Sequence, residues 1–250
     1  MRRLMGWALV SWMLTFAAAN VPAQEGGDMQ AQILYAYQTE DMNALANLVQ
    51  NLSNQVKAGG ADAALRYHLA HADYRFGLLA QGPRAAAAAA AFSDCVDELK
   101  AVLEQDVKSV EALVLESACY SELAKHRRLE AVLLRSKAGE RLDGAFKLDP
   151  HNPRVIYFKA EDDMVRSKSG SAERERAFAE LQQAAKIFDQ TSATRNDVPG
   201  WGHAEAYLAL GTQLAARGDA LGARNWIEKA LIVAPDYKAA QRQMASLVRH

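Results

Sequence analysis

The chain has 250 residues, half of them hydrophobic, with 29 basic against 30 acidic side chains and a formal net charge of −1. That balance provides no electrostatic footprint for DNA or RNA, which needs concentrated positive charge. Ala and Leu are abundant, β-branched runs are few and only six prolines occur, so the composition points to helices in one sizeable domain or an elongated stack.

Residues 1–23 stand apart. Arg2 and Arg3 form a positive start, residues 4–19 are an apolar run, and Val21 and Ala23 place small residues at the minus-three and minus-one positions of a cleavage site. This is the layout of a secretory signal peptide, and it predicts cleavage after Ala23. The rival, a retained anchor, has only roughly 16 apolar residues, short for a full span. No Cys follows the run, and the Arg pair lacks the remainder of a twin-arginine signal. Ordinary export is therefore expected, with the periplasm of a Gram-negative bacterium as the compartment. No later apolar run is long enough to cross a bilayer, so the exported chain is expected to be soluble.

Residues 24–60 read as N-terminal capping helices. A short flexible start at 24–27 precedes a helix over 29–37. A second helix over 41–56 carries one apolar stripe of Met42, Leu45, Leu48, Val49 and Leu52. Thr39 or Asp41 can cap it, and the Gly59-Gly60 pair can close it. Residues 61–250 read as a helical repeat domain. Its first helix, 62–80, places Tyr67, Ala70, His71 and Tyr74 at a large–small–large spacing, and Gln81-Gly82-Pro83 breaks it. Seven consecutive alanines from Ala85 to Ala91 predict a helix packed closely on its neighbours, running through Phe92, Val96, Leu99 and Val102 to about Gln105.

Cys95 on that helix and Cys119 on the next are the two cysteines. In an exported protein they can form a disulfide between neighbouring helices, or they can be two buried thiols acting as small apolar fillers. The helix that starts at Val110 repeats the large–small–large pattern with Leu113, Ser117 and Tyr120, and its partner over about 128–147 ends in Leu148-Asp149-Pro150. Asn152-Pro153 opens another helix with Ile156, Ala160 and Asp163 at the corresponding sites, the last a departure from the large residue expected there. Residues 172–188 form its partner, a polar loop covers 191–200, and a capping helix covers 239–248.

Residues 204–237 are the most regular stretch. Tyr207, Leu210, Gly211 and Leu214 are followed by Ala223, Ile227, Ala230 and Pro235, at the spacings of a helix–turn–helix unit of about 34 residues. Gly211 and Ala223 let two antiparallel helices approach closely, while Gly218 ends the first helix and Asp219 caps the second. This stretch resembles a tetratricopeptide repeat (TPR). The earlier hairpins resemble longer, looser versions, with Tyr67, Leu113, Ile156 and Tyr207 at unequal intervals that exceed the repeat period. The stretches at 152–155 and 199–207 also look similar to exported bacterial proteins of this type. The resemblance implies an all-α, right-handed α-solenoid of antiparallel helix hairpins whose inner surface binds a peptide or protein, without chemistry of its own. One subgroup of the family clamps a C-terminal carboxylate with Lys, Arg and Asn. Here the matching positions hold Glu205, Leu208 and Thr212, and in the preceding unit Arg154, Tyr157 and Glu161, so that ligand is not carried across.

Those six inner-face positions are the candidate binding residues. Trp201, at the mouth of the unit, is a seventh, as a partner contact or as a staple between loop and helix. His68 and His71 lie three apart and can share a helix face, with Asp73 nearby, but a zinc site needs more ligands than this segment supplies. Glu161, Asp162 and Asp163 are consecutive on a helix and point in different directions. No phosphate loop or nucleophile elbow occurs. The expectation is a non-enzymatic, cofactor-free adaptor with a protein or peptide partner. A metal-dependent hydrolase built on His68 and His71, or a self-associating structural protein, are the alternatives.

Overall fold

The structure, a computed structural model, describes residues 23–59, 62–82, 84–192 and 200–247. The expected leader, up to residue 22, lies outside the described residues. So do Gly60 and Pro83, on which helix boundaries were expected, and most of the 191–200 loop.

Eleven helices and no strand occur among the described residues. Helices α1 (Ala23–Gln38) and α2 (Met42–Lys57) precede four antiparallel hairpins. These pair α3 (Ala63–Leu79) with α4 (Ala85–Gln105), α5 (Val110–His126) with α6 (Ala131–Leu148), α7 (Pro153–Arg166) with α8 (Ala172–Ser192), and α9 (His203–Ala216) with α10 (Ala220–Val233). Helix α11 (Lys238–Leu247) packs on α10. Contacts of α4 with α5 and of α8 with α9 join successive hairpins, giving an all-α, solenoid-like stack.

Local chemistry sets the helix starts. The carboxylates of Asp41, Asp62 and Asp219 accept from the backbone N–H groups of Ala44, Leu65 and Gly222 at 2.8–2.9 Å. The Asn152 amide oxygen does the same for Arg154 and Val155, ahead of Pro153 at the first helical position. Each satisfies donors that a helix start leaves orphaned. Between α9 and α10, Gly218 takes φ +81°, the left-handed conformation that closes a helix.

Small residues set how closely the hairpins pack. A Cβ at Gly211 would lie 2.5 Å from Ile227 and 3.1 Å from the Ala223 carbonyl, as the spacing predicts. In the second hairpin the Ser117 hydroxyl donates to the Ala138 carbonyl at 2.8 Å. The first hairpin differs from expectation. Its close approach is at Gly77, where a Cβ would meet the Phe92 ring at 2.6 Å, while His71 bonds to Gln30 of α1. A helix of 17 residues accommodates more than one register, and the glycine nearest the turn decides. In α7, Met164 rather than Asp163 is the buried large residue.

Two boundaries also differ. The segment 24–27, expected to be a flexible start, is helical, continuous with the residues from Gln30 onward that pack on α3. Helix α8 continues through Thr191 to Ser192 rather than ending at Phe188. Neither Pro nor Gly interrupts it there, and the Thr191 hydroxyl bonds back to the carbonyls of Ile187 and Phe188.

Cys95 and Cys119 form a disulfide between α4 and α5, with Cα atoms 6.4 Å apart, so the first two hairpins are covalently joined. The core has three parts. One fills the space among α3–α6, a second fills α7–α11, and a third lies under α1 and α2. Helix α1 does more than cover an end. Ile33 is fully buried in the third part, Leu34 packs against the first, and Tyr37 reaches the second.

Candidate functional site

The first helices of the four hairpins, together with Tyr37 near the end of α1, line a cleft of about 330 Å³. Helix α7 presents Tyr157 and Glu161, one turn apart on a single face. Helix α9 presents Glu205, Leu208 and Thr212 at the i, i+3, i+7 spacing of one face. Tyr74, Arg75 and Leu78 come from α3, Glu122 from α5, Tyr37 from α1, and Tyr237 from the turn before α11. Six of the seven residues expected at a binding surface therefore line one cavity: Tyr157, Glu161, Trp201, Glu205, Leu208 and Thr212.

The seventh, Arg154, is sealed behind the wall with 2% of its surface exposed. Its Nε donates to the Trp201 carbonyl at 2.9 Å and its Nη1 to Glu111 at 3.2 Å. Asn152 donates to the same Glu111 oxygen at 2.9 Å. The Arg154 guanidinium lies over the rings of Trp201 and Phe188, 5.2 and 5.5 Å from their centroids. It thus staples the 200–202 segment to the stack. Trp201 is held from the other side as well: it is 1% exposed, and its indole N–H donates to the Tyr67 hydroxyl at 2.9 Å. Gly202 follows with φ +99°, closely packed on Phe188 and Arg154. Its N–H donates to Glu205 Oε2 at 3.0 Å, which caps α9.

Beneath the cleft is a buried polar network that sequence reasoning did not assemble. Arg75 Nη2 lies 2.6 Å from Glu205 Oε1, and Arg75 Nε donates to His71 Nε2 at 3.0 Å. Gln30 Nε2 lies 3.2 Å from Nδ1, and because a neutral imidazole that accepts at Nε2 carries its proton on Nδ1, the Gln30 amide has to be turned over to present its oxygen there. Burial, then the neighbouring Arg75 charge, hold His71 well below the usual imidazole pKa, so it is neutral. Both ring nitrogens are occupied and none is left for a metal. His68 lies half-buried, with its Nδ1 unpartnered. No group of three or more His, Cys, Asp or Glu side chains poised to hold a metal occurs among the described residues. The Arg75 guanidinium also lies 4.5 Å from the Tyr37 ring centroid and 5.6 Å from that of Trp201.

Six aromatic residues line the cleft: Tyr37, Tyr74, Tyr157, Phe158, Trp201 and Tyr237. Tyr37 and Tyr237 have centroids 6.1 Å apart and share a hydrogen bond. Tyr157 meets Phe158 edge-on at 5.0 Å, and Phe158 meets Trp201 at 5.9 Å. Burial raises the phenol pKa values of Tyr37, Tyr74, Tyr157 and Tyr237, so these hydroxyls remain protonated hydrogen-bonding groups at any physiological pH. Burial also raises the Glu161 carboxyl to about 7. A Tyr157 hydrogen bond and Lys125 oppose the rise, while Glu122 and Glu205 add to it. Asp162 and Asp163 point elsewhere and pair with Arg166 at 2.6 and 3.0 Å.

Sequence reasoning reached the α7 and α9 walls through the repeat register. It missed Arg75, Tyr37 and Tyr237. The available signal was in α3, where His71, Asp73 and Arg75 interrupt a segment buried on all sides and so must satisfy one another or a neighbour.

No protein-family model and no curated protein matches this chain. Among solved structures, TTC0263, a thermophilic TPR protein of Thermus thermophilus, superposes with a TM-score of 0.62 at 18% identity. The match spans 91% of this chain and all of that one. The chain therefore has a TPR-like fold.

Proposed function

We propose that the chain is a non-enzymatic interaction scaffold that holds a peptide or protein segment in the cleft formed by α3, α5, α7 and α9. The observation that carries this reading is the cleft itself. Six aromatic residues line it, and Trp201 and Glu205 in its wall are held from behind by Arg154, Tyr67 and Arg75, so it is pre-organised, and pre-organisation lowers the entropic cost of taking a ligand. Aromatic side chains at such a surface also supply the anchors on which interface energy concentrates.

The reading includes export. The leader pattern over residues 1–23 supports a periplasmic location, and so does the Cys95–Cys119 bridge, since disulfides persist in oxidising compartments. No helix among the described residues is long and apolar enough to cross a membrane.

In-cell photocrosslinking tests the scaffold reading. A photoreactive residue at Leu208, on the cleft wall, is expected to give a discrete crosslinked species, absent when the same residue stands at exposed Leu221 on α10. Equal yields at both positions, or none at Leu208, would reject it. Cell fractionation tests the compartment: recovery of the chain in the cytoplasm with its leader intact would reject export.

A further inference from the structure

The charges around the cleft do not cancel, and the exception has a position. Glu205 is neutralised by Arg75 at 2.6 Å. Glu122 pairs with Lys125 at 2.7 Å and accepts from Gln81 at 2.9 Å. Glu111, behind the wall, pairs with Arg154. Glu161 lines the same cavity and has no cation within ion-pair distance among the described residues; Lys125, already paired with Glu122, acts on it only from beyond that distance. The polar partner of Glu161 is the Tyr157 hydroxyl.

The same cavity is lined by six aromatic residues, and one of them, Tyr157, is bonded to this carboxyl. Ring faces carry negative electrostatic potential and attract guanidinium and ammonium groups, most strongly where water is excluded. The one buried guanidinium in the cleft shows the same chemistry. Arg75 sits against Tyr37, Tyr74 and Trp201 and closes on Glu205. The cleft contains one such cation–aromatic–carboxylate set complete, and beside it a second set, Glu161 with Tyr157, that lacks the cation.

We propose that the cleft is specific for a basic residue, the Arg or Lys side chain of a partner peptide, whose cationic head lies among the tyrosine rings and pairs with Glu161. This rests on the scaffold reading and gives it a ligand class. Electrostatically it is the reverse of a site that clamps a carboxylate: an anionic chain end would meet Glu161, Glu122 and Glu205, with the single cleft-lining arginine already paired. The raised carboxyl of Glu161 fits the arrangement, because an incoming cation supplies the compensation that burial withholds, and binding then releases a proton near neutral pH.

The test is selection of a random twelve-residue peptide library on the immobilised full chain, beside an unrelated helical protein, with calorimetry on synthetic versions of the selected peptides at pH 8. The expected result is a basic residue at one fixed position, with at least tenfold weaker binding when it is changed to Gln. A loss of similar size is expected in the Glu161→Gln chain, whose fold circular dichroism checks, and a smaller one in Tyr157→Phe. Selected peptides that tolerate Gln at every basic position, or bind Glu161→Gln equally well, overturn the cation assignment and leave the scaffold reading standing. No enrichment over the control protein overturns both. Methylguanidinium or spermidine binding as tightly as the peptides would overturn the peptide assignment in favour of free amines.

Discussion

Arg75 in the first hairpin and Glu205 in the last are 130 residues apart in sequence and 2.6 Å apart in space. Their side chains are 3% and 10% exposed, so the pair is sealed from water at the floor of the cleft. Removing one member leaves a buried charge without compensation, which costs about 3–5 kcal/mol. Arg75→Met is therefore expected to destabilise by that amount in denaturant titration. Arg75→Met with Glu205→Gln should be less destabilised than the sum of the single changes by about 2 kcal/mol or more. Simple additivity would show that the pair is not coupled.

The Cys95–Cys119 bridge closes a loop with a sequence separation of 24. A loop of that size restricts the unfolded chain by about 3 kcal/mol. The double Cys→Ser chain is expected to retain the helical content of the parent and to lose about that much stability. An unchanged denaturation midpoint would contradict this.

Two glycines in helices should respond in opposite directions to alanine. At Gly211 a Cβ would overlap Ile227, so Gly211→Ala is expected to cost about 1–3 kcal/mol. At Gly139, within α6, a Cβ meets nothing within 4 Å, and Gly139→Ala should stabilise by about 0.5–1 kcal/mol. Thermal melts of the two variants give the comparison, and a shift of the same sign in both would refute it.

Glu161 gives a pH dependence with a defined sign. Its carboxyl is raised from 4.5 to about 7 in the folded chain, so below pH 4.5 it is protonated in both folded and unfolded states and has no effect. Between 4.5 and 7 the unfolded chain ionises first and stability falls, and above 7 the loss is complete. Glu161→Gln should therefore stabilise the unliganded protein at pH 8, by about 1–3 kcal/mol, and have little effect at pH 4. A gain at pH 4 that vanished at pH 8 would reverse the assignment.

The repeat register was legible in the sequence because its determinants are local. Asp219 caps, Gly218 closes and Gly211 sets the approach, each within one helical hairpin. From that register the positions of Tyr157, Glu161, Glu205, Leu208 and Thr212 on a common inner surface followed. The other half of the cleft was not legible, for a physical reason. Arg75 faces inward because Glu205, His71 and Tyr37 together satisfy it: His71 is one turn back on the same helix, but Tyr37 comes from α1 and Glu205 from α9. No short-range pattern encodes such a meeting. The first hairpin shows the same limit: the spacing put His71 at the small-residue site, whereas the packing of Phe92 puts the close approach at Gly77.

Tandem helical stacks ordinarily have two free ends, and each end can peel away without disturbing the other. Here Tyr37 lies against Tyr237, and the Glu40 carboxylate accepts from the two terminal Arg242 guanidinium nitrogens at 2.5 and 2.8 Å. The arc is fastened where it begins and ends. Shortening the protein from either side would undo that clasp, so amide hydrogens at the two extremities should exchange in concert, and the chain should melt as one body rather than unravel inward.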